Sequence, residues 1–545
     1  MPQNQIGEVM TALVADRRMG SGQPDVLRVN EVLERRPAVG LGLGLVRNRR
    51  FEFQGRGLAD IASSSPITED TVFPIGSVTK TFTAIAVMQL WELGLVDLDR
   101  PASDYLRAYS LIPARSTFRP VTLRHLLTHT AGIPDVRGIS DLLHASLTPS
   151  GGRPALLSVD PEERLPSLAE YYRGGLRVVA EPGSAFAYSN HGYATLGQIV
   201  EDVSGLPFAR YVRKRIFEPL GMAHSSFARS DRIGQPLATG YTLGHRGATA
   251  VPDRDWIGAG ADGIYSTACD MGRFASALLG GGANDHGRVL EPTTLATMFE
   301  PHYQQDARLP GMGLGFFRAS AAGHGYVLHD GILPGFNTEL LVAPEDGIGL
   351  IGFTNGSRGA FGWLPLELRA VLREVLGLPT DARRRRVTRN AAHPEVWAQL
   401  RGRYVLPPRI ADLRERLALG GGAHVFVGDG QLMVRLLAPV PTLLRGLPFE
   451  PGDATDPYVF YLDLAPFGMS PVRVVFADVV DGRATTIHTD LGGQPWSLVR
   501  SADHSRRKLL ATALASLAIA LSVKTLWRSR PFARWFRTSV VTGDQ

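Results

Sequence analysis

The chain has 545 residues, 44% of them hydrophobic and 20% charged, with 60 glycines and 37 prolines; this exceeds one ordinary core and excludes a disordered, fibrous or small-scaffold protein. One cysteine, Cys269, excludes an intrachain disulfide and any multi-cysteine zinc or iron–sulfur centre. Net charge is +6, but residues 504–545 hold eight basic residues and one acid, so the body is nearly neutral. That balance argues against a nucleic-acid partner and points the basic tail at anionic lipid or another acidic surface. Lysine occurs only at positions 80, 214, 508 and 524. Where arginine serves nearly every general cationic purpose, a lysine inside the chain is a candidate for chemistry that a permanently charged guanidinium cannot do, and Lys80 comes first.

Residues 1–25 read as a flexible extension without the basic start and apolar run of a secretory signal, so a cytoplasmic location is expected unless the C-terminal segment binds a membrane. The stretch PAVGLGLGLVRNRRFEFQGRG from Pro37 reads as two antiparallel strands around a turn at 47–50. Gly40, Gly42 and Gly44 do not form the GxGxxG that opens a dinucleotide-binding helix; they mark a strand face that a helix approaches closely. After Pro74, SVTKTFTAIAVMQLWELG reads as a mostly buried helix stopped by Gly94, with Ser77 and Lys80 in its first turn. Further helices are expected at 122–128, 193–204 and 269–279, and a strand meander at 326–331, 337–343 and 348–355.

Together these predict an α+β domain over 26–380, an antiparallel sheet flanked by helices with a helical subdomain, and a basic linker at 381–394. Residues 395–502 show period-two patterning with hairpin signals at Gly428-Asp429-Gly430 and Asp481-Gly482, as expected of a separate small β-barrel or sandwich. Residues 503–545 form a basic tail around 15 uncharged residues, 509–523, roughly 22 Å as a helix. This is shorter than the ~20 residues of a span, but Lys508 and Lys524 can snorkel while Leu526 and Trp527 extend the apolar length. Membrane contact through 506–537 is expected, as a span or an interfacial anchor, with a packed or oligomerising helix as the alternative. No oligomeric state follows from the sequence.

Ser77-Val78-Thr79-Lys80 puts a hydroxyl and an amine three residues apart, on one helix face. Ser505-Arg506-Arg507-Lys508 has the same spacing without the context; Ser77 has a preceding Phe73-Pro74-Ile75-Gly76 turn, a helix start that favours developing negative charge, and a buried helix behind it. Tyr188-Ser189-Asn190 precedes a helix; a phenol whose pKa a nearby ammonium lowers is a candidate general base, and Asn190 supplies amide contacts. His329-Asp330-Gly331 ends a strand, where the glycine permits close substrate approach and the Ile332 N–H would join that of Ser77 in an oxyanion hole. His245-Arg246-Gly247 shares the letters but sits in a polar loop. His125 and His129 are four apart, yet HLLTH lacks the glutamate of HExxH and a third ligand, so no metal or other cofactor is expected. His129 reads instead as a helix-end residue contacting backbone near Gly132.

In this order and context the three motifs resemble the serine β-lactamase and penicillin-binding-protein superfamily, in its class C-like branch of esterases and D-aminopeptidases. The resemblance spans roughly residues 30–380 and includes LLTHTAGIPD (126–135) and GADGIYSTACDMGRF (260–274). It implies a β-lactamase/transpeptidase-like fold, Ser77 as acylated nucleophile, Lys80 and Tyr188 sharing a proton relay, Asn190 positioning substrate, and His329 in place of the lysine of the third motif, commonly KTG. A histidine is only fractionally charged near neutrality (unperturbed pKa about 6.5), so recognition of a terminal carboxylate weakens. Ester or amide substrates, including N-terminal D-residues, become more plausible than β-lactams, and HxG is also the variant of D-aminopeptidase-like relatives. Leu400, Gly402 and Tyr404 resemble the start of the lipocalin-like barrel fused to some of these enzymes, whose loops can shape the site entrance. The implied function is a metal-free serine hydrolase of small-molecule or peptide substrates; the alternative is a penicillin-recognising sensor or assembly protein that does not turn over.

Overall fold

The computed structural model describes residues 27–136, 157–160, 163–227, 237–244, 247–356, 359–378, 393–407, 412, 422–436, 445–452, 455–464 and 471–501. The expected N-terminal extension, most of the linker, the loop at His245-Arg246, and the basic tail with its apolar segment lie outside the described residues. Among the described residues no helix is long and apolar enough to cross a membrane.

Seven antiparallel strands form the main sheet, in the order Phe317–Ala321, His324–Leu333, Phe336–Ala343, Ile348–Thr354, Gly40–Arg47, Arg50–Asp60 and Ser65–Pro66. The N-terminal hairpin thus pairs with the last strand of the body, Leu43 facing Gly352 and Arg47 facing Ile348. Strand periodicity sends Leu41, Leu43 and Leu45 to one face, where they pack on Trp363, Leu364 and Leu368 of the helix Ala360–Val375. Fully burying each such leucine is worth about 1.5–3 kcal/mol. On the other face Gly42 and Gly44 lie beneath aromatic rings: a Cβ there would come within 3.0 Å of Phe53 and 2.8 Å of Phe51. A Cβ at Gly272, on the helix Ala268–Leu279, would come within 2.6 Å of Phe51. The helix that the glycine pattern led us to expect therefore covers this face through a layer of phenylalanine instead of touching the glycines directly.

The expected helices appear as Thr79–Glu92, Leu123–Leu127, Asn190–Ser204 and Ala268–Leu279. Asn190–Ser204 starts upstream of its expected position because the Ser189 hydroxyl caps it, accepting the Gly192 N–H at 3.0 Å, and it stops at Gly205 with φ 70°. Thr79–Glu92 is enclosed on nearly all sides; Phe82 stacks on Phe274 at 3.9 Å and meets Phe217 edge-on at 5.7 Å. Such a helix cannot shift without opening the core, which makes it a rigid base for the residues at its start.

Eight strands between Gly402 and Arg500 close into the second unit, a barrel. Its interior is filled by side chains including Tyr404, Val425, Phe449, Phe460, Phe476 and Leu498. The Tyr404 hydroxyl donates to Leu400 O at 2.8 Å and accepts from Arg500 Nη2 at 2.7 Å, tying the first strand to the last. The barrel docks on the body through Arg308–Asp456 at 3.0 Å and Arg473 Nη1 to Arg308 O at 2.9 Å, while Ala185 packs into its apolar cluster. A third contact reaches further in: Asp412, between the first two barrel strands, accepts from the Asp135 and Val136 amides at 3.0 and 3.2 Å.

Candidate active site

Ser77 lies in a single 3-10 turn, Gly76–Val78, that runs directly into Thr79–Glu92. The turn sits against the strand end at Gly331: a Cβ on Gly331 would fall 2.0 Å from Ile75 O, and one on Gly76 would fall 3.2 Å from Ile332 N. Only glycine allows the two segments to approach this closely. The Ile332 amide consequently lies beside the turn that carries the Ser77 amide.

Lys80 is fully buried. Its Nζ donates to Ser77 Oγ at 2.8 Å, Asn190 Oδ1 at 2.7 Å and Ala261 O at 2.9 Å, and lies 3.4 Å from Asp262 Oδ1. The Ser77 hydroxyl in turn donates to Asp262 Oδ1 at 2.7 Å. Burial pulls the lysine pKa below its ordinary value, opposed by Asp262, Asp135 and Asp330. Asn190 is clamped by Asp135, which accepts from its backbone N–H at 2.6 Å and its Nδ2 at 2.7 Å. That clamp fixes the amide so that its oxygen faces Lys80.

Tyr188 places its ring centroid 5.0 Å from Lys80 Nζ and stacks on His129 at 4.3 Å. The expected lowering of its pKa does not occur. Burial raises it well above 10, and the carboxylates of Asp262 and Asp330 push the same way. Tyr188 is held as a neutral phenol, first because burial disfavours the phenolate and then because the nearby carboxylates repel a further anion.

His329 also departs from expectation. It is fully buried, its Nδ1 is paired with the Asp330 carbonyl at 2.8 Å, and its ring lies 5.1 Å from that of Phe317. Burial, helped by Lys80, pushes its pKa down to about 3. It is uncharged at neutral pH, not fractionally charged, and offers a carboxylate no cation. His129 stacks on Tyr188 at 4.3 Å and accepts the Ser189 N–H on Nδ1 at 3.0 Å, so its backbone contact is to Ser189 and not near Gly132. His125 Nδ1 accepts the Thr122 N–H in a helix cap. Among the described residues no His, Cys, Asp or Glu cluster could hold a metal.

Ser77, Lys80, Tyr188, Asn190, Gly331 and Ile332 therefore meet in one region, with the buried His329 ring against Phe317. Two buried carboxylates, Asp135 and Asp262, escaped the sequence reading as functional residues. The available signal was acid embedded in the apolar, glycine-rich stretches LLTHTAGIPD and GADGIYST, where an unpaired charge would be costly.

A family model described as Beta-lactamase matches residues 28–371. The chain is 30% identical over 320 residues to the esterase EstB of Burkholderia gladioli, covering 53% of this chain and 77% of that one. It is 28% identical over 246 residues to a β-lactamase of Yersinia enterocolitica, covering 45% of this chain and 56% of that one. It is also 28% identical over 295 residues to the putative penicillin-binding protein PbpX of Bacillus subtilis, covering 54% of this chain and 63% of that one, so the chain spans less than two thirds of the length of these last two relatives. The solved structure of an octameric penicillin-binding protein homologue from Pyrococcus abyssi aligns with 91% of this chain and 100% of its own, at 22% identity and TM-score 0.55, a likeness of fold that takes in the barrel.

Proposed function

Because the chain belongs to the β-lactamase family, we propose that it is a serine hydrolase that acylates Ser77 and releases the acyl group to water, acting on esters or amides without a free carboxylate beside the scissile bond. The observation that carries this is the hydroxyl of Ser77 held between a buried amine at 2.8 Å and a buried carboxylate at 2.7 Å. In this reading the Ser77 oxygen attacks the substrate carbonyl, and the amides of Ser77 and Ile332 take up the developing oxyanion. Asn190, immobilised by Asp135, orients Lys80 and the substrate, and Tyr188, as a neutral phenol, donates a proton to the leaving group.

Substrate charge follows from the site's own charges. The groups acting on Lys80 are three carboxylates, Asp262, Asp135 and Asp330, while His329 is neutral. A substrate carboxylate meets these acids with only Lys80, already paired to Asp262, set against them; a neutral ester does not, and an N-terminal amine, as in a D-amino-acid amide or ester, meets attraction. Small esters, amides and short peptides with a free amino end are the substrate classes this arrangement favours.

The test is burst kinetics of the purified chain with p-nitrophenyl acetate, beside a D-amino-acid p-nitroanilide and a chromogenic cephalosporin. Expected is one equivalent of nitrophenol per chain followed by steady release, abolished in Ser77→Ala along with labelling by a fluorophosphonate. A burst with no steady phase would favour a penicillin-recognising sensor, and a preference for the cephalosporin would refute the assignment by charge.

A further inference from the structure

Asp262 has no part in the relay just described, yet it is the group to which the Ser77 hydroxyl donates. It closes the short helix Ala259–Asp262, is 4% exposed, and lies 185 residues from Ser77 in the chain. The three donor directions of Lys80 are taken by Ser77 Oγ, Asn190 Oδ1 and Ala261 O. An amine so surrounded is arranged as an ammonium, which has three donors and no lone pair with which to accept a proton. The only hydroxyl proton on Ser77 is directed at a carboxylate oxygen instead. A lysine acting alone as base would need that proton turned toward it and one of its own donors released.

We propose that Asp262 is a catalytic residue, the acceptor of the Ser77 proton, with Lys80 as its ammonium partner. The inference rests on Ser77 being the nucleophile. During acylation the Ser77 O–H bond breaks, its proton passes to Asp262 Oδ1, and its oxygen forms a bond to the substrate carbonyl carbon. The bond from that carbon to the leaving oxygen or nitrogen then breaks, and the leaving group takes a proton from Tyr188, which regains one from the Lys80 ammonium. Asp262, now a carboxylic acid, returns its proton to the Lys80 amine across the 3.4 Å contact, restoring carboxylate and ammonium. In deacylation water gives one proton to Asp262 as its oxygen attacks the acyl carbon, and the departing Ser77 oxygen recovers that proton. No charge or proton is left over in either half.

The experiment compares wild type, Asp262→Asn and Asp262→Gly in pre-steady-state bursts with p-nitrophenyl acetate, each variant first checked by its thermal melt. A general base contributes about 10²–10⁴-fold, so the burst rate of Asp262→Asn should fall at least 100-fold while its amplitude stays near one per chain. In Asp262→Gly, sodium formate should restore the burst at least tenfold over sodium chloride of equal ionic strength, because a small carboxylate can occupy the vacated space. Either variant acylating within threefold of wild type would overturn the proposal, as would a slow Asp262→Gly protein indifferent to formate, since a merely structural carboxylate is not replaced by a soluble one. A wild type that shows no burst at all would instead sink the reading of Ser77 itself.

Discussion

Asp135 never touches Ser77, yet the geometry makes acylation depend on it. Asp135→Asn keeps the shape and one acceptor oxygen, which still receives the Asn190 N–H now bound at 2.6 Å. The new amide NH₂ then faces the Asn190 Nδ2 that Asp135 accepts at 2.7 Å, donor against donor. Asn190 relieves this by turning its side-chain amide over, and its Nδ2 then confronts Lys80 Nζ, where an oxygen stood at 2.7 Å. Losing one charge-assisted bond inside the protein costs about 1.5–3 kcal/mol. At 1.36 kcal/mol per decade the acylation rate should fall roughly 10- to 150-fold. The measurement is the pre-steady-state burst with p-nitrophenyl acetate, alongside thermal melts. The double variant Asp135→Asn/Asn190→Asp restores the pattern, since position 135 again pairs with 190 and an oxygen, now of a carboxylate, again faces Lys80. It should recover most of the lost rate, a coupling that independent sites would not show. A single variant within twofold of wild type, or a double variant slower than the product of the two singles, would refute the argument.

Three further outcomes are expected. Gly331→Ala puts a methyl 2.0 Å from Ile75 O, so the strand end must draw back from the Ser77 turn; the burst rate should drop at least tenfold with the melting temperature lowered by only a few degrees, and an unchanged rate would show that the strand can yield. His329 has its folded pKa depressed from 6.5 to about 3, so the stability it confers as a neutral group is complete above pH 6.5 and is lost as pH falls toward 3. In thermal melts between pH 7 and pH 4, His329→Gln should therefore lose less stability on acidification than wild type, and parallel slopes would contradict this. Asp412→Ala leaves the buried amides of Asp135 and Val136 without their acceptor, which costs about 1–3 kcal/mol per group; the melt should shift down and the burst slow as the Asp135 clamp loosens, and no change in either would show that the barrel bears on the body elsewhere.

Much of the fold was legible because it is written locally. The period-two leucines and glycines of the first hairpin, the Gly94 stop and the hairpin glycines of the barrel each fix a short piece of chain by sterics and burial, which spacing reveals. The hydroxyl–amine pair at positions 77 and 80 was legible for the same reason, since a single helical turn brings them together. What the sequence hid depends on surroundings assembled from afar. Tyr188 and His329 both lie near Lys80, and their protonation was misjudged because burial was left out: it raises the Tyr188 phenol with the help of Asp262 and Asp330, and it lowers the His329 imidazole with the help of Lys80 itself. The Asp262 oxygen that takes the Ser77 hydrogen bond comes from a short helix 185 residues away and has no spacing rule to announce it. Within GADGIYST its neighbours are small or apolar, so its pairing is visible only once Thr83 binds the Gly260 carbonyl at 2.7 Å and Thr79 takes the Ile264 N–H at 3.1 Å, pinning that loop to the helix of Lys80 on both sides. Those two threonines hold the carboxylate at bonding distance from the serine, so the chemistry at Ser77 depends on how this helix is gripped as much as on the motif it begins with.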